Sequence, residues 1–165
     1  MALMIPSELA TLLSVIGHEW PSSNEDALMQ SGQAWCDLSG KLTDIESQAT
    51  TSAAQAWADQ IGKDIDAFKA WWESEDGPAD SLTQGATGAM IGGSGLMVCS
   101  ALVLALKIMI IVQLAILAVQ IALAIAQAAF TFGASLAQVP IFQQITRRIV
   151  DTIVDQVISQ LLAKI

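Results

Sequence analysis

The chain has no tyrosine, one histidine, two cysteines and four prolines among its 165 residues. Each shortage removes a class of chemistry. His18, between Gly17 and Glu19, reads as a structural or solvent-facing residue, and no grouping of His, Cys and acid has metal-ligand spacing. Asp64, Asp66, Glu73, Glu75, Asp76 and Asp80 do not form a calcium loop, because Gly77 is misplaced for its turn. They read as the solvated face and turn of a helix. The segment GATGAMIGGSG, Gly85 to Gly95, lacks the lysine of a phosphate-binding loop and misses the GxGxxG spacing. The sequence therefore points away from an enzyme and requires no cofactor or metal. Basic residues are also scarce, 7 against 16 acids, with Arg147-Arg148 the only basic pair. Phosphate contacts need clustered cations, so nucleic acid is excluded as a partner. The start, MALMIPSELATLL, carries Glu8 and no basic region, unlike a Sec-type signal peptide. Export would need another route.

Charge itself is the most informative absence. No charged side chain occurs between Ile108 and Thr146, whereas residues 1–80 carry fourteen acids and three lysines. The apolar content of 53% and mean hydropathy of +0.54 are high for a domain in water. The length suits one domain, 1–165, divided into an acidic amphipathic half, 1–80, and an apolar half, 81–165. What hides the apolar half decides the function. The candidates are the rest of the chain, a partner, copies of itself and a bilayer.

The few prolines mark the joints. Pro6 suits the first residue of a short helix to Ile16, with Gly17 as its stop. Trp20-Pro21 breaks the chain, and Ser22 and Ser23 precede Glu25 and Asp26 in two overlapping capping patterns. From there to about Ser74 the pattern predicts one amphipathic helix of roughly 75 Å. Its stripe runs through Leu28, Trp35, Leu38, Leu42, Ile45 and Ala49. After a shift in phase it continues through Trp57, Ile61, Ile65, Phe68 and Trp72. Trp35, Leu38, Leu42 and Ile45 are expected to pack against the apolar second helix. Gly77-Pro78 forms the turn, and the glycine-rich stretch after it reads as a hinge or a close-packing helix start.

From Leu96 to Phe132 there is no Pro or Gly, and Lys107 is the only charge. Gln113, Gln120 and Gln127, seven residues apart, form a narrow polar line read as register marks at a helix–helix contact. Such a helix belongs inside a bundle or in a membrane. Ile108 to Phe130 would cross a ~30 Å hydrocarbon core, but the helix from Leu96 is longer than one span needs and the glutamines add cost. Gly133 ends it and Pro140 opens the last helix, whose apolar pairs recur every four residues and so wind around it. Folding back at about Pro78 sets residue i opposite roughly 156 − i, which separates Cys36 from Cys99 by roughly 30 Å and keeps both reduced.

In order, these features resemble the WXG100-like N-terminal domain of actinobacterial polymorphic toxins linked to ESX (type VII) secretion. The resemblance covers a PSELA helix at Pro6 to Ala10, the G-x-x-W-P break at Gly17 to Pro21 and an acidic helix start. It continues through Ala34-Trp35, a Trp-containing turn, an Ala-rich apolar helix and Arg147-Arg148-Ile149-Val150. It implies an all-α fold: a long antiparallel helical hairpin with a short N-terminal helix and an additional C-terminal helix. It further implies a non-enzymatic module, made in the bacterial cytoplasm and secreted. Such a module pairs with Esx/WXG100-type helical proteins to direct a toxin or effector to type VII secretion. The turn here reads Trp72-Glu73-Ser74 rather than Trp-x-Gly. With no tyrosine, a Tyr-x-x-x-acid signal would have to come from the partner. No toxin domain follows Ile165, so the module would be cut from a longer protein or stand alone. The alternative is a membrane-inserting or pore-forming helical protein, homo-oligomeric in some forms. Packing residues under either reading are Trp35, Leu38, Leu42, Ile45, Trp57, Phe68, Trp72, Gln113, Gln120 and Gln127, with Gly77 and Pro78 at the turn.

Overall fold

In the computed structural model, which describes residues 2–163, the chain is all-α, with no strand among the described residues. Five helices follow one another: α1 (Ser7–Val15), α2 (Glu25–Ala58), α3 (Lys63–Trp72), α4 (Pro78–Ala128) and α5 (Val139–Leu162). A 3-10 turn, Ala134–Gln138, precedes α5. The residues form two compact units, one of Leu28–Met97 and one of the segments before and after it.

In the unit Leu28–Met97, α2 and α4 run antiparallel at very close range. A Cβ on Gly32 would lie 2.7 Å from the Gly93 carbonyl oxygen, and one on Gly93 would lie 2.7 Å from that of Gly32. Only glycine permits this backbone approach. Ser39 Oγ donates to the Ala86 carbonyl at 2.7 Å, inside the same seam. Buried Ala86, Ala89 and Gly93 make up the α4 side. The glycine-rich stretch is thus the close-packing start of a helix, not a hinge. The register differs from expectation: fold-back at Pro78 would place Gly32 opposite Ala124, yet it faces Gly93.

The reason is a break in what the sequence suggested was one helix. α2 ends at Ala58, and α3 begins at Lys63. Ile61, assigned to the apolar stripe, is fully exposed in the break. α3 folds back so that Trp57 and Phe68 meet edge-on with ring centroids 5.7 Å apart. In an unbroken helix these residues would be about 16 Å apart. Trp72 Nε1 donates to Thr50 Oγ1 at 3.4 Å, closing the aromatic group. The turn into α4 falls at Gly77-Pro78 as expected. A side chain at Gly77 would strike the carbonyl oxygens of Trp71 and Ser74 at 2.7 Å, and Pro78 is the first residue of α4.

The second unit is built from α1, the start of α2, the later part of α4 and α5. Its core comprises Leu13, Ile16, Ile110, Leu114, Leu117 and Val150. Gly17 stops α1 with φ +86°, and the Arg147 guanidinium carbon lies 3.6 Å from where its Cβ would be. His18 Nε2 lies 3.0 Å from Asp151 Oδ1. These contacts tie the Gly17–Pro21 break to α5. The cap of α2 is Asn24, whose Oδ1 accepts from the Ala27 amide at 3.0 Å; Ser22 and Ser23 do not supply it. At the far end, α4 stops at Ala128. Gly133 takes a left-handed conformation, and buried Ser135 Oγ donates to the Ala124 carbonyl at 2.7 Å.

Candidate functional site: helix faces and a buried ion pair

The buried positions of α4 follow a strict alternation of three and four. They include Ala86, Ala89, Gly93, Ser100, Lys107, Ile110, Leu114, Leu117 and Ala124, with half-buried Leu96, Val103 and Ile121 filling the gaps. This 3.5-residue repeat is the signature of knobs-into-holes packing. A helix that looked apolar on every side therefore has one inward seam. Gln113 and Gln120 stand one position before it and are half-buried, while Gln127 is exposed. The first two thus border a helix contact; the third does not.

Lys107 lies on that seam, 1% exposed. Its Nζ donates to Glu25 Oε2 at 2.6 Å and to the Ser23 carbonyl at 2.7 Å. It also lies 5.7 Å from the centre of the Trp20 ring, within cation–π range. The other Glu25 oxygen accepts the Leu3 amide, and Ser100 Oγ donates to the Glu25 carbonyl at 2.7 Å. The Lys107 hydrogen bond, with the Leu3 amide second, lowers the Glu25 carboxyl to about 2, against an ordinary 4.5. A buried ammonium is tolerated only when paired and hydrogen-bonded in this way. The sequence carried one signal for this site, a lone lysine in an apolar helix. With sixteen acids in the chain it could not name the partner.

The large apolar residues of α2 take the opposite role from the one expected. Trp35, Leu38 and Ile45 are 48%, 41% and 52% exposed, so they are not the intramolecular core. Where the α2 and α4 backbones come closest the seam admits only small residues, and Gly32, Cys36 and Ser39 occupy it. Leu42 is half-buried, its Cδ1 3.7 Å from the position of a Cβ on Gly85. Trp57 and Trp72 are half-buried, and Phe68 lies at the edge of exposure. A shallow depression lined by Ser31, Ala34, Trp35 and Leu38 opens beside the exposed stripe. Cys36 and Cys99 are free, half-buried thiols. Among the described residues, no group of three or more His, Cys, Asp or Glu could hold a metal ion.

What this arrangement offers is contact, through helix faces that the chain does not itself cover. A family model described as WXG100 like domain matches residues 4–149. The chain belongs to the WXG100-like family. Membership points to a helical protein related to type VII secretion that works with other helical proteins. No curated protein and no solved structure matches the chain significantly. Within the WXG100-like domain, the motifs find physical roles. The Gly17 break receives Arg147 of the last helix, and Trp20 with the acidic start of α2 receives Lys107.

Proposed function

We propose that this WXG100-like chain is a targeting and interaction module. On this reading it pairs with a small Esx-type helical hairpin and directs a toxin or effector to type VII secretion. The carrying observation is the exposed stripe Trp35, Leu38 and Ile45 on a helix whose inward face is already filled. Bulky aromatic and aliphatic side chains at helical spacing suit insertion between the helices of a partner. Half-buried Leu42 continues the same stripe. On this reading the chain made alone is not a stable monomer. Light scattering of detergent-free protein at micromolar concentration should show an assembly larger than 17.4 kDa. Co-purification from the native cell followed by mass spectrometry should return small helical hairpins. Their recovery should fall at least tenfold with Trp35→Ala/Ile45→Ala. A monodisperse 17.4 kDa species, or recovery unaffected by those substitutions, would overturn the reading.

A second reading, insertion into a membrane, is supported by α4. It is long and apolar enough to cross a bilayer, and only 22% of its most apolar window is buried in the protein.

A further inference from the structure

From Ile108 to Ala126 the outward faces of α4 carry no polar side chain. Gln113 and Gln120 border the inward seam, exposed Gln127 comes only at the far end, and every other residue from Ile108 to Ala126 is apolar. Met109, Val112, Ile116, Val119 and Leu123 stand exposed on the side away from the seam. A surface built for a soluble helical partner has a polar rim around its apolar centre. Here no rim exists across the whole outward arc.

The length of this surface fits a second kind of occupant. Ile108 to Ala128 rises about 31 Å, close to a bilayer's hydrocarbon core. A cation stands at one end, and Phe130 and Phe132, almost wholly exposed, at the other. A lysine at the edge of a span normally reaches the headgroup phosphates with its ammonium while its stem stays in hydrocarbon. In this structure the same ammonium is instead buried and held by Glu25.

From these placements we infer that the outward face of α4 from Ile108 to Ala128 is a lipid-bilayer surface. The Glu25–Lys107 pair is the latch that keeps α4 packed in the protein. While the pair is made, the seam of α4 stays against α1 and α5 through Leu13, Ile16 and Val150. Breaking it leaves a buried ammonium without its counter-ion. The closed state then loses its advantage over one in which Lys107 reaches a lipid phosphate. This rests on the membrane reading and is independent of the Trp35 stripe, which belongs to the other unit.

The test is flotation of the full chain with phosphatidylcholine–phosphatidylglycerol vesicles at neutral pH, with helicity in buffer followed by circular dichroism. Glu25→Gln should raise the vesicle-bound fraction at least tenfold over the wild type. Adding Val112→Gln/Val119→Gln should return it to the wild-type level, and Trp35→Ala should leave it unchanged. If Glu25→Gln loses helicity in buffer, Glu25→Asp, with the same charge on a shorter arm, takes its place with the same expected direction. Equal binding by wild type and variant, abolished by the two glutamines, would overturn the latch and leave the lipid surface standing. Absence of binding by every form would overturn the lipid surface. So would a Glu25→Gln variant that stays off vesicles and associates with itself in light scattering.

Discussion

Two adjacent glycines of α4 should respond to the same substitution with opposite signs. Gly93 sits on the inward seam, where an added methyl would lie 2.7 Å from the Gly32 carbonyl oxygen and 3.0 Å from the Cys36 amide nitrogen. Ordinary contact begins near 3.4 Å, so the two helices would have to separate by several tenths of an ångström. The Cys36 Sγ, also at 2.7 Å, could swing aside, but the other two obstructing atoms are helix backbone, which no rotamer change can move. Overpacking of this kind costs about 1–3 kcal/mol, and this site belongs in the upper half of that range. Alanine recovers about 1 kcal/mol of helix propensity relative to glycine. The net expectation for Gly93→Ala is a loss of about 1–2 kcal/mol. Gly92, one residue earlier, has nothing within 4 Å of its would-be Cβ, so Gly92→Ala should gain about 0.5–1 kcal/mol from propensity alone. At roughly 2–4 °C per kcal/mol for a chain of this size, the two variants should melt several degrees apart, on opposite sides of wild type. Thermal unfolding followed by far-UV circular dichroism would show it. If both substitutions raise the midpoint equally, the Gly32–Gly93 contact is absent and the register of α2 on α4 is wrong.

Leu114→Ala should cost about 2–5 kcal/mol because the side chain is wholly buried, whereas half-exposed Trp35→Ala should cost about 1 kcal/mol or less; equal losses in urea unfolding would contradict the assignment of seam and outer face. Asn24→Ala should lose about 0.5–2 kcal/mol through the cap of α2, while Ser22→Ala and Ser23→Ala should be near neutral by the same measurement. Glu25 is held to about 2 against an ordinary 4.5, so its ionised form favours the folded chain. That contribution is complete above about 4.5 and fades as pH falls through about 2. Acid titrations of wild type and Glu25→Gln should therefore converge across that window, and a gap that stays constant from pH 6 to pH 1.5 would refute the pairing.

Punctuation in this sequence was the part most readily read. Gly17, Trp20-Pro21, Gly77-Pro78, Gly133 and Pro140 fall in the joints between helices or in their first turn, because backbone freedom or a missing amide acts locally. The break at Asp59–Gly62 showed in the sequence as a shift in the phase of the apolar stripe at Trp57 and as Gly62. A phase shift has two physical sources, a rotated contact face or an interrupted helix, and Gly62 does not separate them, because Gly32 and Gly40 stand inside α2 without ending it. The Trp57–Phe68 contact separates them, and it is a tertiary fact. Lys107 is similar: the need for a counter-charge follows from the helix around it, but choosing Glu25 among sixteen acids requires the folded chain.

The faces of α2 show why periodicity located a stripe and then assigned it wrongly. Hydrophobic spacing identifies residues that must leave water, but it does not say which neighbour receives them. Between α2 and α4 the backbones approach so closely that Gly32, Cys36 and Ser39 on one side, and Ala86, Ala89 and Gly93 on the other, form the tightest part of the contact, with the larger Met97 and Leu42 side chains at its two ends. A tryptophan cannot enter such a seam. Trp35, Leu38 and Ile45 are therefore displaced to the outside by the small residues beside them, and a residue read as core becomes a residue offered to a partner. Where two helices share a seam of glycine, alanine and serine, the bulky positions flanking it identify the surface that remains to be covered.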